Sequence, residues 1–163
     1  MSNKPRQQIA QRKAGAPRHF LLVDAHNIIF ARPDLAALHR RNPAAARERL
    51  VRVLERHQDA SHSRVVVVFD GGTAPKASSE LSGAAGVQVI YPRSGQTADA
   101  IIEQLVVKYA GVHRLTVATG DSLIRTAAVA AGASTIDAEA LFDDIARAEK
   151  DLEAALGRLR RRR

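Results

Sequence analysis

The feature that most constrains the fold is a set of short apolar runs, each of which is followed by an aspartate. In the clearest, Arg64–Phe69, four consecutive valines lead to Asp70. A shorter run, His19–Val23, leads to Asp24 in the same way. Runs of β-branched residues with no alternating polar position are typical of strands that are buried on both faces of a sheet. The sequence therefore predicts a sheet that is covered by helices on both sides.

The rest of the chain alternates strand and helix patterns. Further strands are predicted at Val87–Tyr91, Leu115–Ala118 and Ser134–Ile136. Helices are predicted from Asn42 to about Gln58, from Ala98 to about Tyr109, from Ser122 to about Ala131, and after Asp137. Alternating strands and helices favour a parallel sheet, because a parallel connection needs a crossover helix. We therefore predict an α/β fold of three layers, α/β/α, with a mainly parallel sheet, over residues 19–157.

Acidic residues are predicted to meet at one edge of this sheet. Asp121 follows the strand at Leu115–Ala118, as Asp24 and Asp70 follow theirs. The carboxyl ends of parallel strands line the ligand crevice of such folds, so these side chains should converge if their strands are neighbours. Asp99 adds an acid in the first turn of a helix, and Glu103 lies four residues further on the same face; the participation of Glu103 is left open.

A cluster of carboxylates predicts a divalent metal ion. Two carboxylates about 5 Å apart repel by roughly 3 kcal/mol at an effective dielectric constant of 20, and a dication reverses the sign of that interaction. The chain has no cysteine. Oxygen ligands alone favour Mg²⁺ or Mn²⁺, with Asp24, Asp70, Asp99 and Asp121 as the predicted ligands. The matching chemistry is metal-assisted attack of water on a phosphodiester.

Several of these polar residues also have a purely structural interpretation. Asp121 could cap the helix that starts at Ser122, and Asp99 favours a helix N-terminus whatever its function. Asn27, three residues after Asp24, could orient that carboxylate or stabilise the turn after the strand. Thr119 could direct its hydroxyl at the metal or phosphate, or could simply end a strand.

The positive charge lies at the two ends of the chain. The net charge is +8, from 25 basic and 17 acidic residues. Residues 1–18 and 158–163 contribute five cations each and no acid, which leaves 15 basic against 17 acidic residues between them. We predict two basic tails of these bounds, of which the C-terminal one could extend the last helix. Such tails could serve solubility alone, but this density of cations favours attraction of RNA or the ribosome through phosphates. Arg93, Lys76, Thr97 and Thr119 are the predicted substrate contacts.

Composition also limits the class of protein. The apolar runs are far shorter than the roughly 20 residues of a membrane helix, so we expect a cytoplasmic protein with no membrane partner. Six aromatic residues, four Phe and two Tyr, argue against a sheet that stacks several bases.

Four segments in this order resemble the NYN domain family of PIN-like nucleases, in particular its YacP-like branch. They are HFLLVDAHNII (19–29), RVVVVFDGG (64–72), VQVIYPRSGQTADAIIE (87–103) and LTVATGDSLI (115–124). The resemblance implies a PIN-like α/β/α fold, dependence on Mg²⁺ or Mn²⁺, and endoribonuclease activity on RNA such as mRNA, with ribosome association. It places the acidic motif at Asp24, Asp70, Asp99 and Asp121, with Asn27 as the amide that follows the first aspartate.

The chain departs from the family pattern at two motifs. The first usually reads Asp-Gly-Tyr-Asn, whereas Ala25 and His26 stand in the middle here. The last commonly reads Thr-Ser-Asp, whereas this chain has Gly120 between the threonine and the aspartate. The first departure bears on local packing, and the second removes a hydroxyl.

Two other functions compete with a nuclease. The first is a non-catalytic module that binds RNA or the ribosome through its basic ends. The second is a phosphatase of the haloacid dehalogenase type, which needs another aspartate two residues after the first. His26 occupies that position, so the phosphatase is disfavoured.

Overall fold

The computed structural model describes residues 18–71 and 86–163, which form five strands and six helices. The first half contains β1 (His19–Asp24), α1 (Ala25–Ala31), α2 (Pro33–Arg41), α3 (Pro43–Ala60) and β2 (Arg64–Val68). The second half contains β3 (Gln88–Ile90), α4 (Ala98–Tyr109), β4 (Arg114–Ala118), α5 (Ser122–Ala130), β5 (Ser134–Ile136) and α6 (Ala138–Arg161).

The five strands form one parallel sheet in the order β3-β2-β1-β4-β5. β1 is central: Val23 is level with Val67 of β2 on one side and with Ala118 of β4 on the other. The chain order reverses between β1 and β4, which is where ligands bind in open α/β sheets. The predicted parallel sheet is confirmed.

Helices cover both faces of the sheet, and alternate residues of β1 belong to different cores. Phe20 and Leu22 pack with α4 and α5, whereas Leu21 and Val23 pack with α1, α3 and α6. Both faces of the central strands are therefore buried, which explains why their sequences show no alternation of polar residues. The predicted three-layer α/β/α architecture is confirmed.

Side-chain caps set the starts of the long helices. The oxygens of Asn42, Thr97 and Asp137 accept the backbone N–H three residues further on, at Ala45, Ala100 and Ala140. Each cap satisfies a donor that the helix itself leaves unpaired. These starts agree with the predictions.

Two short helices were not predicted. α1 begins directly after β1 with no loop, and α2 begins at Pro33, one residue after α1 ends. Proline suits the first turn of a helix, so Pro33 carried a signal for α2. α1 has no side-chain cap, which explains why its start at Ala25 escaped prediction.

The C-terminal arginines extend the last helix, since α6 continues to Arg161. Residues 1–17 and Lys76 lie outside the described residues. Within the described ranges, none of the helices has both the length and the apolar character that a membrane span requires.

Candidate active site

Asp24 is the centre of the site, because it ends the central strand at the point where the strand order reverses. The side chain is buried, with 5% of its residue surface exposed. A carboxylate in this position loses most of its hydration, so it requires hydrogen bonds or a cation in compensation.

Thr119 supplies one of these hydrogen bonds. It follows β4, is fully buried, and donates its hydroxyl to Asp24 Oδ2 at 2.8 Å. The Thr119 hydroxyl oxygen also accepts the backbone N–H of Asp121 at 3.1 Å. The sequence suggested a hydroxyl that meets metal or phosphate. The structure instead gives Thr119 the role of joining two of the predicted acidic residues, since its hydroxyl has no solvent contact.

Asn27 acts on the loop after β4 rather than on Asp24. Its amide oxygen accepts the backbone N–H of Gly120 at 2.7 Å. The prediction that Asn27 orients Asp24 is therefore corrected. From the first turn of α1, the Asn27 amide instead holds the Thr119–Asp121 loop against the end of β1. A Cβ at Gly120 would lie 3.3 Å from the same Asn27 oxygen, so the small residue allows this close approach.

Asp70 and Asp121 each use one oxygen to hold a helix. Asp70 Oδ1 accepts the backbone N–H of Ala98 at 2.9 Å, which joins the end of β2 to the start of α4. Asp121 Oδ1 accepts the N–H groups of Leu123 and Ile124 at 2.9 and 3.1 Å. The capping interpretation of Asp121 is therefore correct. It leaves a metal role open, because these bonds engage only one of its two carboxylate oxygens.

Asp99 lies at the open side of the site, in the first turn of α4. Its side chain is exposed, yet its pKa is raised by partial desolvation and by the negative charges of Asp121, Asp70 and Glu103. Glu103 is also exposed, one helical turn further along. The four predicted aspartates are thus brought within electrostatic range of one another.

The electrostatic cost of this arrangement is greatest at Asp24. Burial raises the pKa of Asp24 most, the Thr119 hydrogen bond lowers it, and the charges of Asp99, Asp70 and Asp121 raise it, so that together they bring it to about 6. Within the described part of the chain, no Lys or Arg forms an ion pair with any of the four aspartates. The site therefore carries negative charge without a compensating protein cation among these residues.

Comparison with known proteins agrees with this architecture. The family model described as "YacP-like NYN domain" matches residues 21–163. The chain belongs to the YacP-like NYN domain family. This family is part of the PIN-like nuclease superfamily, and the α/β fold seen here is of the PIN-like type.

Relatives of this YacP-like chain come from Bacillus subtilis. The protein called "Uncharacterized protein YacP" from strain 168 is 30% identical over 138 residues, which is 82% of this chain and 78% of that protein. The crystal structure of Rae1 (YacP) superposes with a TM-score of 0.68 at 29% identity, covering 86% of this chain and 80% of that chain. A W164L mutant of Rae1 gives a TM-score of 0.70 at 28% identity, with 86% and 82% covered.

The donor set of this YacP-like site suits a hard dication that keeps part of its water shell. In the described ranges, no group of three or more His, Asp or Glu side chains is arranged so that it could hold a metal ion by itself. Magnesium normally retains several waters and takes only one or two carboxylates. Asp24, the most buried acid, and Asp70, after the neighbouring strand, would hold such an ion together with Asp99 and Asp121, directly or through water.

Two predicted substrate contacts, Arg93 and Thr97, lie in the segment between β3 and α4. Arg93 is exposed there. The Thr97 hydroxyl accepts the N–H of Ala100 at 3.1 Å, so its oxygen serves as the cap of α4. Substrate contact by Arg93 and Thr97 remains a prediction.

Proposed function

We propose that this chain is a divalent-metal-dependent endoribonuclease. One observation carries the proposal: Asp24, Asp70, Asp99 and Asp121 share one edge of the sheet, where their mutual repulsion and burial raise the pKa of Asp24 to about 6. Helix N-termini account for one oxygen each of Asp70 and Asp121, but the four carboxylates together still repel one another, and burial adds to the cost at Asp24. A dication offsets the cost.

The residues of the site have separate tasks in this proposal. When bound, Mg²⁺ or Mn²⁺ would polarise the scissile phosphate and activate the attacking water. Asp24 and Asp70 would hold the ion, and Thr119 keeps Asp24 Oδ2 in place with its hydroxyl at 2.8 Å. Asp99 and Asp121 would hold ordered water on the open side of the site.

RNA is the proposed substrate because of the family and the charge. Five arginines lie within residues 158–163, and α6 carries most of them into solvent at its end. Exposed cations of this density bind a polyanion through release of counterions, whatever its sequence. We extend the proposal to mRNA on the ribosome as the setting of cleavage, with the cytoplasm as its location.

The test is cleavage of single-stranded RNA with Mg²⁺ or Mn²⁺ by wild type, Asp24→Asn and Asp59→Asn. Asp59 is an exposed carboxylate on α3 and controls for the change in charge. We expect Asp24→Asn to lose more than about 100-fold in rate, since outer partners of metal ligands alone cost 10–100-fold. Equal cleavage by all three proteins would place the activity elsewhere.

A second function, binding of RNA or the ribosome without cleavage, is favoured by the same exposed arginines. It predicts affinity that survives Asp24→Asn and falls when residues 1–18 and 158–163 are removed. The slope of log affinity against log salt should then shrink by about 0.7 for each lost phosphate contact on a single strand. Unchanged affinity and slope after trimming would remove the ends from any role in binding.

A further inference from the structure

A groove of about 500 Å³ lies between α3 and the end of β3. We call it the Tyr91 groove. α3 contributes Arg47, Val51 and Arg52 to its wall, and the sheet contributes Phe69, Val89 and Tyr91. Its volume falls within the roughly 300–1,000 Å³ of pockets that hold small organic ligands.

One end of the groove lies at the carboxyl edge of the sheet, where the proposed catalytic site is. Phe69 directly precedes Asp70, and Tyr91 follows β3, two residues before Arg93. The ring of His26, two residues after Asp24, lies 6.3 Å from that of Phe69 between centroids. The wall of the groove therefore includes residues that are next to those of the site in the chain or in contact with them.

Tyr91 is oriented as a stacking surface. Its ring lies on that of Phe69, with centroids 5.3 Å apart and planes 18° apart. Phe69 is fully buried and contacts His26 at 6.3 Å between ring centroids, so the ring beneath Tyr91 is held by the core. A half-buried tyrosine fixed in this way loses little conformational freedom when a planar ligand stacks on it.

The charges of the groove divide it into two parts. Arg52 pairs with Glu48 at 3.7 Å, so the charges at this part of the wall largely cancel, and Glu55 is nearby on α3. Arg47 lies nearer the start of α3 and has no ion pair with any described residue. An uncharged base suits the first part, and a phosphate suits the second.

We infer that the Tyr91 groove binds the nucleotide next to the scissile phosphate, with its base stacked on Tyr91 and its phosphate near Arg47. The inference rests on the proposed cleavage of RNA. A single stacking residue is compatible with the low aromatic content, which argues only against a surface that stacks several bases. Stacking is tolerant of base identity, so the groove gives affinity rather than a strict sequence preference.

Tyrosine emission tests the stacking directly, because the chain has two tyrosines and no tryptophan. In an Asp24→Asn background, Tyr109→Phe leaves Tyr91 as the sole emitter. Tyr91→Phe leaves Tyr109 as the sole emitter. The loss of emission in this second protein measures the light that the RNA absorbs. We expect an unlabelled uridine hexanucleotide to quench the first protein beyond the second. Equal loss of emission in both would overturn the inference.

Kinetics separate this inference from the nuclease proposal. Tyr91→Leu preserves an apolar contact with Phe69 but removes the stacking surface, and Tyr91→Phe preserves both. We expect Tyr91→Leu to raise KM by roughly 5–150-fold at nearly unchanged kcat, and Tyr91→Phe to change KM by less than about twofold. The ratio should be the same at low and high salt, since stacking releases no counterions.

The outcomes of the two tests are distinguishable. Cleavage that depends on Asp24 but not on the residue at position 91 would refute nucleotide binding in the Tyr91 groove and leave the nuclease proposal intact. Quenching of Tyr91 in a protein that cleaves no RNA in any variant would refute the nuclease and leave the groove as a nucleotide-binding site.

Discussion

The two ends of the sheet differ in the charge that surrounds their polar side chains. At the carboxyl end, Asp24 is surrounded by other carboxylates that raise its pKa. At the amino end, His19 forms hydrogen bonds with Ser63 and, at 2.9 Å, with Thr116. His113 accepts the backbone N–H of Arg18 at 2.9 Å. His19 and His113 thus have neutral hydrogen-bond partners, whereas the carboxyl end carries clustered negative charge.

This difference separates stability from function. Partnered neutral groups cost little to bury, and each such hydrogen bond adds about 0.5–1.5 kcal/mol to stability. Clustered carboxylates lower stability in the absence of a cation. The carboxylates at the carboxyl end thus lower the stability of the protein unless the proposed ligand is bound. Substitutions there should change RNA cleavage, whereas substitutions at the amino end should change the unfolding free energy.

The largest expected contrast is between Thr119→Val, directly after β4, and Thr116→Val, within β4 and bonded to His19 at the start of β1. Thr119→Val removes the hydrogen bonds to Asp24 and Asp121, so we expect a 10–100-fold loss of RNA cleavage, typical of the loss of a group that orients a metal ligand. Because Thr119 lowers the pKa of Asp24, the pH profile should also move to higher pH.

Thr116→Val is the matched control, since it removes only the hydrogen bond to His19. We expect a cost of about 0.5–1.5 kcal/mol in unfolding free energy and unchanged cleavage. Parallel losses of activity in the two variants would show that the ends of the sheet do not differ in function.

The next contrast is in the pH dependence of stability, measured by urea unfolding in a chelator. The pKa of Asp24 is about 6 in the folded chain against 3.8 for a free carboxyl, so its neutral form is favoured by folding. This contribution is present below about pH 4 and is lost as the pH rises through about 6. As the pH rises from about 4 to about 6, the unfolding free energy of Asp24→Asn should therefore increase relative to that of the wild type by about 1–3 kcal/mol.

Asp59→Asn controls for this measurement as well, and its stability should follow the wild type across the range. A flat difference between Asp24→Asn and the wild type from about pH 4 to 7 would mean that Asp24 is not destabilised by its neighbours.

The smallest expected effect is at the amino end, where stability should be lost as the pH falls rather than as it rises. Burial lowers the pKa of His57, partly offset by the charges of Asp144 and Glu149, and its Nδ1 has no hydrogen-bond partner. Its contribution to stability is present above about pH 6.5 and is lost as the pH falls. His57→Leu should cost less than about 1.5 kcal/mol at neutral pH and should flatten this acid-side loss.

The comparison for His57 is His62→Leu, at an exposed histidine near the end of α3. His62→Leu should keep the acid-side loss of the wild type. If His57→Leu also kept the full loss, the burial of His57 would have no part in the pH dependence of stability.

Strand runs and caps made the framework of the fold predictable from sequence. Val65–Val68 could only be a buried strand, and Asn42, Thr97 and Asp137 started helices as expected, because these signals depend on neighbours in the chain. α1 could not be recognised because it has no cap.

The sequence allowed the acidic residues of the candidate site to be predicted, but not the hydrogen bonds between the site residues. Strand-end positions identified Asp24, Asp70 and Asp121, because parallel strands bring their ends together. The partners of Asn27 and Thr119 lie 93 and 95 residues away in the chain. Such partners depend on the register between β1 and β4, which local sequence does not encode.

The most direct test of the account is calorimetric titration of Mn²⁺ into wild type, Asp24→Asn and Asp59→Asn at neutral pH. The account predicts saturable binding to wild type and Asp59→Asn, and an affinity at least about tenfold lower for Asp24→Asn. Absence of Mn²⁺ binding to the wild type, or equal affinity in all three proteins, would contradict the claim that these carboxylates together hold a dication.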